Sequence, residues 1–155
     1  MTLLDILDKK SIKLNLSAKD KEGVLAELID LLVEAKKISD RESALSAIMK
    51  REELMSTGIG HGVAIPHAKA DAVKELISAF GCSKEGIDFQ SLDGEPAYIF
   101  FLLLSPADEA SGFHIKALAR ISRLLKHNYF RELLRKAETS EEVLSLIKKE
   151  EAKHL

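Results

Sequence analysis

Residues 97–105, AYIFFLLLS, carry no charge and are closed on either side by Pro96 and Pro106. A strand with one wet face alternates apolar and polar residues. A run that is apolar at every position has to be covered on both faces. The stretch is too short to cross a bilayer, which takes ~20 apolar residues in a helix, and it is rich in aromatics. A central strand buried between two layers is the expected structure. Helices are what cover a sheet on both sides, so the chain is expected to be α/β.

The flanking pattern agrees. Residues 12–16 alternate as a short strand would. Leu25, Leu28, Ile29, Leu31 and Leu32 mark a helix over residues 21–36. Asp40 is placed to cap a second helix, 41–51, with Ala44, Ala47 and Ile48 on one face. Residues 62–66 read as a strand closed by Pro66, which cannot donate to a ladder, and residues 76–82 as another. Residues 112–126 read as a long amphipathic helix whose stripe is His114, Ala117, Leu118, Ile121 and Leu125. A shorter helix or turn covers 129–136. Thr139 and Glu142 suggest a capping box for a last helix with Val143, Leu144, Leu146 and Ile147 turned inward. Residues 150–155 are expected to fray. At 155 residues the chain reads as one domain, 1–155, able to build a core without staples.

Composition excludes several classes of function. Twenty-three basic against 25 acidic residues give a net charge of -2, without the basic footprint of a nucleic-acid binder. The one cysteine, Cys82, permits neither an internal disulfide nor a zinc ribbon. In its apolar surroundings it reads as a small buried hydrophobe more than as a catalytic thiol. The opening MTLLDILDKK lacks the charge order of a signal peptide, and no apolar run reaches membrane-spanning length. The expected setting is cytoplasmic, with no direct membrane insertion.

Chemistry concentrates in residues 56–69, STGIGHGVAIPHAK. Gly58, Gly60 and Gly62 can take positive φ and admit close neighbours. Their spacing fits neither the dinucleotide fingerprint nor the nucleotide P-loop, and a tight structural loop is an equal reading. His67 follows Pro66, where a rigid strand end can present an imidazole on a fixed backbone. A hydrogen-bonded histidine capping a strand end is the plainer alternative. His114 falls in the first turn of the long helix, where free N–H groups favour phosphate, although its apolar stripe also suits a core histidine. If the two histidines meet, one neutral imidazole can act as nucleophile. Arg51, Ser56, Thr57, His114 and glycine N–H groups are the donor types that phosphoryl oxygens need. No metal or cofactor is required for such positioning and charge stabilisation.

REELMSTGIGHGVAIPH, residues 51–67, resembles the active-site signature of the type 2 IIA proteins of the bacterial phosphoenolpyruvate:sugar phosphotransferase system, the mannitol/fructose class that includes nitrogen-regulatory IIA proteins. FQSLDGEPAYIFFLLLSPADEASGFHIKALARISRLL, residues 89–125, extends the resemblance through a central strand, its loop and the following helix. The resemblance implies a mixed β-sheet with helices on both faces. It implies a phosphocarrier, a phosphotransferase with a transient phosphohistidine, charged by an HPr-type protein and discharging to a IIB component or a regulatory target. His67 would accept the phosphoryl group at Nε2, His114 would contact it, and Arg51 would belong to the site near the partner. Ser56 and Thr57 match the signature, and a supporting role at the phosphoryl group is expected for them. Two positions depart from the family's usual pattern: Ala68 stands where glycine often follows the acceptor, and His61 stands where asparagine is common.

Two rivals come from other classes. His61, His67 and His114 would make a three-histidine zinc hydrolase with an open position, although no H-E-x-x-H spacing is present. A regulator that only binds through this surface is the other. Within the family, a chain without a fused component suggests nitrogen regulation, with a stand-alone fructose-type uptake component as the alternative.

Overall fold

The computed structural model describes residues 1–154. Two 3₁₀ turns, Leu3–Asp5 and Lys9–Ser11, lead into β1 (Ile12–Lys13). α1 (Lys21–Glu34) and α2 (Arg41–Leu54) follow. Then come β2 (Gly58–Gly60), β3 (Val63–Ala64), β4 (His67–Ala70), β5 (Ile77–Ile87) and β6 (Ala97–Pro106). The chain closes with α3 (Phe113–Leu125), α4 (Asn128–Lys136) and α5 (Ser140–Lys153).

The uncharged run is β6, and it is central. The six-stranded sheet is ordered β1-β5-β6-β3-β2, with β4 also on β6. β6 runs antiparallel to β5 and parallel to β3 and β4, so the sheet is mixed. Its side chains alternate between two cores. Phe100, Leu102 and Leu104 pack with Leu25, Leu28, Ile29 and Ile48 of α1 and α2. Ile99, Phe101 and Leu103 pack with Ile121, Leu125, Leu134 and Ile147 of α3, α4 and α5. Burial on both faces explains why no position of the run tolerates charge. The expected mixed sheet flanked by helices on both faces is therefore the fold. Among the described residues no helix is long and apolar enough to cross a membrane.

Pro66 interrupts its strand without ending it. Val63 and Ala64 pair with Ile99 and Phe100, and His67 to Ala70 pair with Leu103 to Pro106, at the same offset. The proline withholds a ladder donor, yet its carbonyl still accepts from Leu103 N at 2.8 Å. β3 and β4 are one line along β6 with a gap at residues 65–66. The line expected to stop at Pro66 thus carries His67 onward as part of the sheet.

Other boundaries moved for local reasons. β1 pairs only at Ile12 and Lys13, although Leu16 N still reaches Cys82 O at 3.0 Å. α2 runs on to Leu54. Thr139 caps α5 by accepting from Glu142 N, but Glu142 accepts in return from Glu138 N, one residue before the cap. Leu144 and Leu146 are half-buried beside fully buried Val143 and Ile147.

Within the described residues the tail expected to fray does not: α5 continues to Lys153, and Leu155 lies outside the described residues. Glu151 is the reason. Its carboxylate accepts from Leu3 N at 2.9 and 3.1 Å and from Arg120 Nη1 at 3.1 Å, which ties the last helix to the amino terminus. A charged residue near a terminus gives no sequence sign of such burial. Glu151→Ala leaves the buried Leu3 N–H unpaired. It is expected to cost about 1–3 kcal/mol, read as a lower urea midpoint at unchanged m-value.

Candidate functional site

Val63, Ile65 and His67 share one strand face by their period of two. Val63 and Ile65 lie in the core beneath α3, so His67 is turned to the same side, where α3 begins. The backbone of Ile65 turns away from β6. Its N–H donates to Thr57 O at 3.0 Å, and its carbonyl accepts from Nδ1 of His67 at 2.9 Å. A carbonyl can only accept, so Nδ1 carries the proton and Nε2 carries the lone pair. Burial lowers the His67 pKa below the ordinary imidazole value, and the positive charge of Arg51 lowers it further, against the opposing pull of the Ile65 bond. The ring is therefore held neutral, with one defined nucleophilic nitrogen.

β6 leads into α3 through residues 107–112. Gly112 takes φ 76 at the N-cap and offers no side-chain cap. Glu109 substitutes for it. Its carboxylate accepts from Phe113 N at 3.4 Å, from the Ser111 hydroxyl, and from Nδ1 of His114 at 2.7 Å. The Ser111 hydrogen bond and then that of His114 hold the Glu109 carboxyl down at about 2. The free N–H end of α3, expected to favour phosphate, is thus already served by a carboxylate. What it offers the site is His114 with Nδ1 fixed and Nε2 remaining for a ligand.

The two histidines meet in one cavity of about 210 Å³, which Arg51 also lines. Leu76, Leu103 and Leu118 form its apolar wall, and Lys69 and Ser105 add polar groups. Arg51 reaches it from the last turn of α2, where its Nη1 donates to Met55 O at 3.0 Å. A nucleophilic imidazole thus stands among a second imidazole, a guanidinium and an ammonium. This set suits a group that develops negative charge on transfer.

Ser56 and Thr57 do not line this cavity, and their hydroxyls are engaged elsewhere. Ser56 Oγ donates to Phe89 O at 2.7 Å and accepts from Gly58 N. Thr57 is buried, with its N–H and hydroxyl donating to Glu52 at 2.8 and 2.6 Å. Glu52 is itself buried and paired with Lys21 at 2.9 Å. The glycines do not line the cavity either. Gly60 and Gly62, at φ 93 and 78, form with His61 at φ 56 the turn between β2 and β3. A Cβ on Gly58 would lie 2.3 Å from Ser91 Oγ. Their work is steric, and the phosphate-cradle reading of the glycine run is corrected.

His61 is exposed on that turn, its N–H donating to Asp93 Oδ2 at 2.9 Å, and it does not share the cavity with His67 and His114. The three-histidine zinc site is not assembled. Cys82 is buried in the sheet, and burial pushes its thiol up to about 12, which makes it inert. Sequence reasoning missed Glu109, Glu52, Ser105 and Lys69. Lys69 was legible from its strand parity with His67. Ser105 becomes visible only through its pairing with Lys69, and the two glutamates only through contacts the fold makes.

A mixed sheet between two helical layers brings two imidazoles and a guanidinium onto one cavity. The family described as phosphoenolpyruvate-dependent sugar phosphotransferase system, EIIA 2, matches residues 5–150, and the chain belongs to it. The chain is 42% identical over 147 residues to the fructose-specific EIIABC component of Bacillus subtilis, covering 95% of this chain and 23% of that protein. It thus spans under a quarter of that relative's length. It is 42% identical over 127 residues to the fructose-specific EIIA component of Haloferax volcanii, 82% of each. The crystal structure of nitrogen regulatory protein IIA-Ntr from Neisseria meningitidis superposes with a TM-score of 0.85 at 31% identity, covering 92% of this chain and 97% of that one.

Two measurements check this geometry. Nitrogen-15 NMR should find His67 protonated at Nδ1 only at neutral pH and titrating below the ordinary ~6.5. As pH falls through that value the unfolded chain takes up the proton first, so this residue removes stability on the acid side. A thiol reagent at pH 8 should leave Cys82 unmodified in the native protein and modify it fully once the chain is unfolded.

Proposed function

We propose that the chain is a phosphocarrier in which Nε2 of His67 accepts a phosphoryl group from an HPr-type phosphoprotein and hands it to a IIB component or a regulatory target. The observation that carries this is the fixed tautomer. Ile65 O holds the proton on Nδ1, so Nε2 attacks phosphorus without first losing a proton. The donor's P–N bond breaks as the new P–N bond forms, and Nδ1–H···O=C persists through both states. Arg51 is proposed to steady the phosphoryl oxygens, and with it Nε2–H of His114 in the doubly protonated ring, whose Nδ1–H stays on Glu109. Ser56 and Thr57 are proposed to shape the loop that carries β3, not to touch phosphate.

A protein partner fits the rim. Leu54 and Met55 follow Arg51, and Phe113 and Ile115 flank His114. All four are exposed apolar side chains, which suits docking of another protein surface. Phosphorylation would place about two negative charges there, so a partner can read the state of the site as well as discharge it. A cytoplasmic setting follows from such a donor.

As to branch, 42% identity to fructose-named relatives supports an uptake component over the regulatory role suggested by the sequence. The 0.85 superposition on IIA-Ntr keeps nitrogen regulation as the second reading.

The test is incubation with phosphoenolpyruvate, enzyme I and HPr from a matched source. Acid-labile, alkali-stable label should appear on His67 and vanish in His67→Ala. His114→Ala should still take label, about 10²–10³-fold more slowly, as for loss of one charge-stabilising donor. Undiminished labelling of His67→Ala would overturn the reading, and retained partner binding without label in the wild type would favour the binding-only regulator. Onward transfer to a fructose IIB protein separates uptake from regulation.

A further inference from the structure

We propose that His127, Glu150 and His154 form a binding site for a zinc-class divalent transition metal at the carboxyl-terminal end of the fold. One donor atom from each of these residues lies within 4.8 Å of the others.

The start of α4 and the end of α5 bring them together. Glu150 lies in the last turn of α5 and His154, four residues on, is its C-cap, with Nε2 of His154 3.0 Å from Glu150 Oε2. His127 occupies the N-cap of α4. Its ring lies 4.8 Å from that of His154 and 9° from parallel. α3 separates this cluster from His114. At 1.5 Å per residue its 13 residues span about 20 Å, so the site is distinct from the phosphoryl site.

The chemistry of the set favours a metal. Two imidazoles and one carboxylate are a zinc donor set, with a fourth position open to water. Donors at ~2.0–2.1 Å from a tetrahedral ion stand ~3.4 Å apart; the two rings are stacked here, so binding would turn the half-buried His127 ring out of the stack until both lone pairs point at one ion. Glu150 is 3% exposed, and a carboxylate so buried needs strong partners. Tyr129 OH donates to it and would orient it as an outer hydrogen bond to the ligand. Lys153 Nζ, 3.6 Å from the carboxylate on a side chain 61% exposed, can swing into water. Hydrogen bonds to Glu150 account for Tyr129 and His154 but not for His127. Among the described residues neither ring nitrogen of His127 has a hydrogen-bond partner, yet its ring is stacked against a ligand candidate. A metal would fasten the last turn of α5 to the first turn of α4, and its role would be structural.

The experiment is titration of the full chain with Zn²⁺ by calorimetry, and with Co²⁺ by visible absorption. One equivalent should bind, with an intense tetrahedral Co²⁺ spectrum, and Zn²⁺ should raise the thermal midpoint. His127→Gln and His154→Gln should each lose at least tenfold in affinity and lose the midpoint shift, while His61→Gln and His67→Gln keep both. Both ligand variants alter half-buried rings near the surface, and circular dichroism verifies that they fold. Glu150→Gln, which keeps the shape, provides a further reading. No binding, binding unchanged in the ligand variants, or binding lost in His67→Gln would each overturn the proposal. Because the readout is metal and not phosphate, it stands or falls apart from the phosphocarrier reading.

Discussion

The site depends on a proline set inside a strand that nevertheless stays in register. Pro66 removes one donor from the ladder with β6, but pairing resumes at His67 with the offset unchanged. Alternation therefore survives the break, and His67 inherits the inward face of Val63 and Ile65. In the gap, the Ile65 carbonyl turned away from β6 accepts the imidazole N–H. One backbone group fixes both the position of the ring and the nitrogen that carries its lone pair. A freely rotating histidine on a loop would have neither.

Around that ring the polar groups are disciplined by carboxylates. Glu109 caps α3 and fixes Nδ1 of His114 in the same act. Glu52, buried with Lys21, holds Thr57 through both of its donors. Thr57 O in turn accepts from Ile65 N, and Ile65 O from His67, so Glu52 is three hydrogen bonds from His67. Neither glutamate lines the cavity, yet each orders a group next to it. The Ser56 and Thr57 hydroxyls and the glycines that looked available for phosphate are spent on the loop's own geometry, while the charged and imidazole side chains lining the cavity are Arg51, Lys69, His67 and His114.

Legibility followed the kind of information involved. The central strand was readable because burial on both faces leaves an unmistakable uncharged run. α1 and α3 were readable because their apolar stripes repeat at helical spacing. His67, His114 and Arg51 were readable through the signature string and the helix start, and the fold gathers them in one cavity. Pro66 misled, because its missing donor implies a strand end unless neighbouring bonds carry the strand across the gap. The tail misled too: EEAKHL is polar, and nothing local reveals that Glu151 has a partner at Leu3.

The sequence by itself determined the layers, since hydrophobic period and the absence of charge are local patterns with one physical meaning. It also determined which imidazole follows the proline and which one opens α3. Only the tertiary structure decided what those groups are free to do. Whether a hydroxyl is spare, which ring nitrogen holds the proton, and whether a carboxylate is buried depend on partners distant in the chain. Hydrogen-bond commitments of that kind exist only after the sheet has brought the segments together.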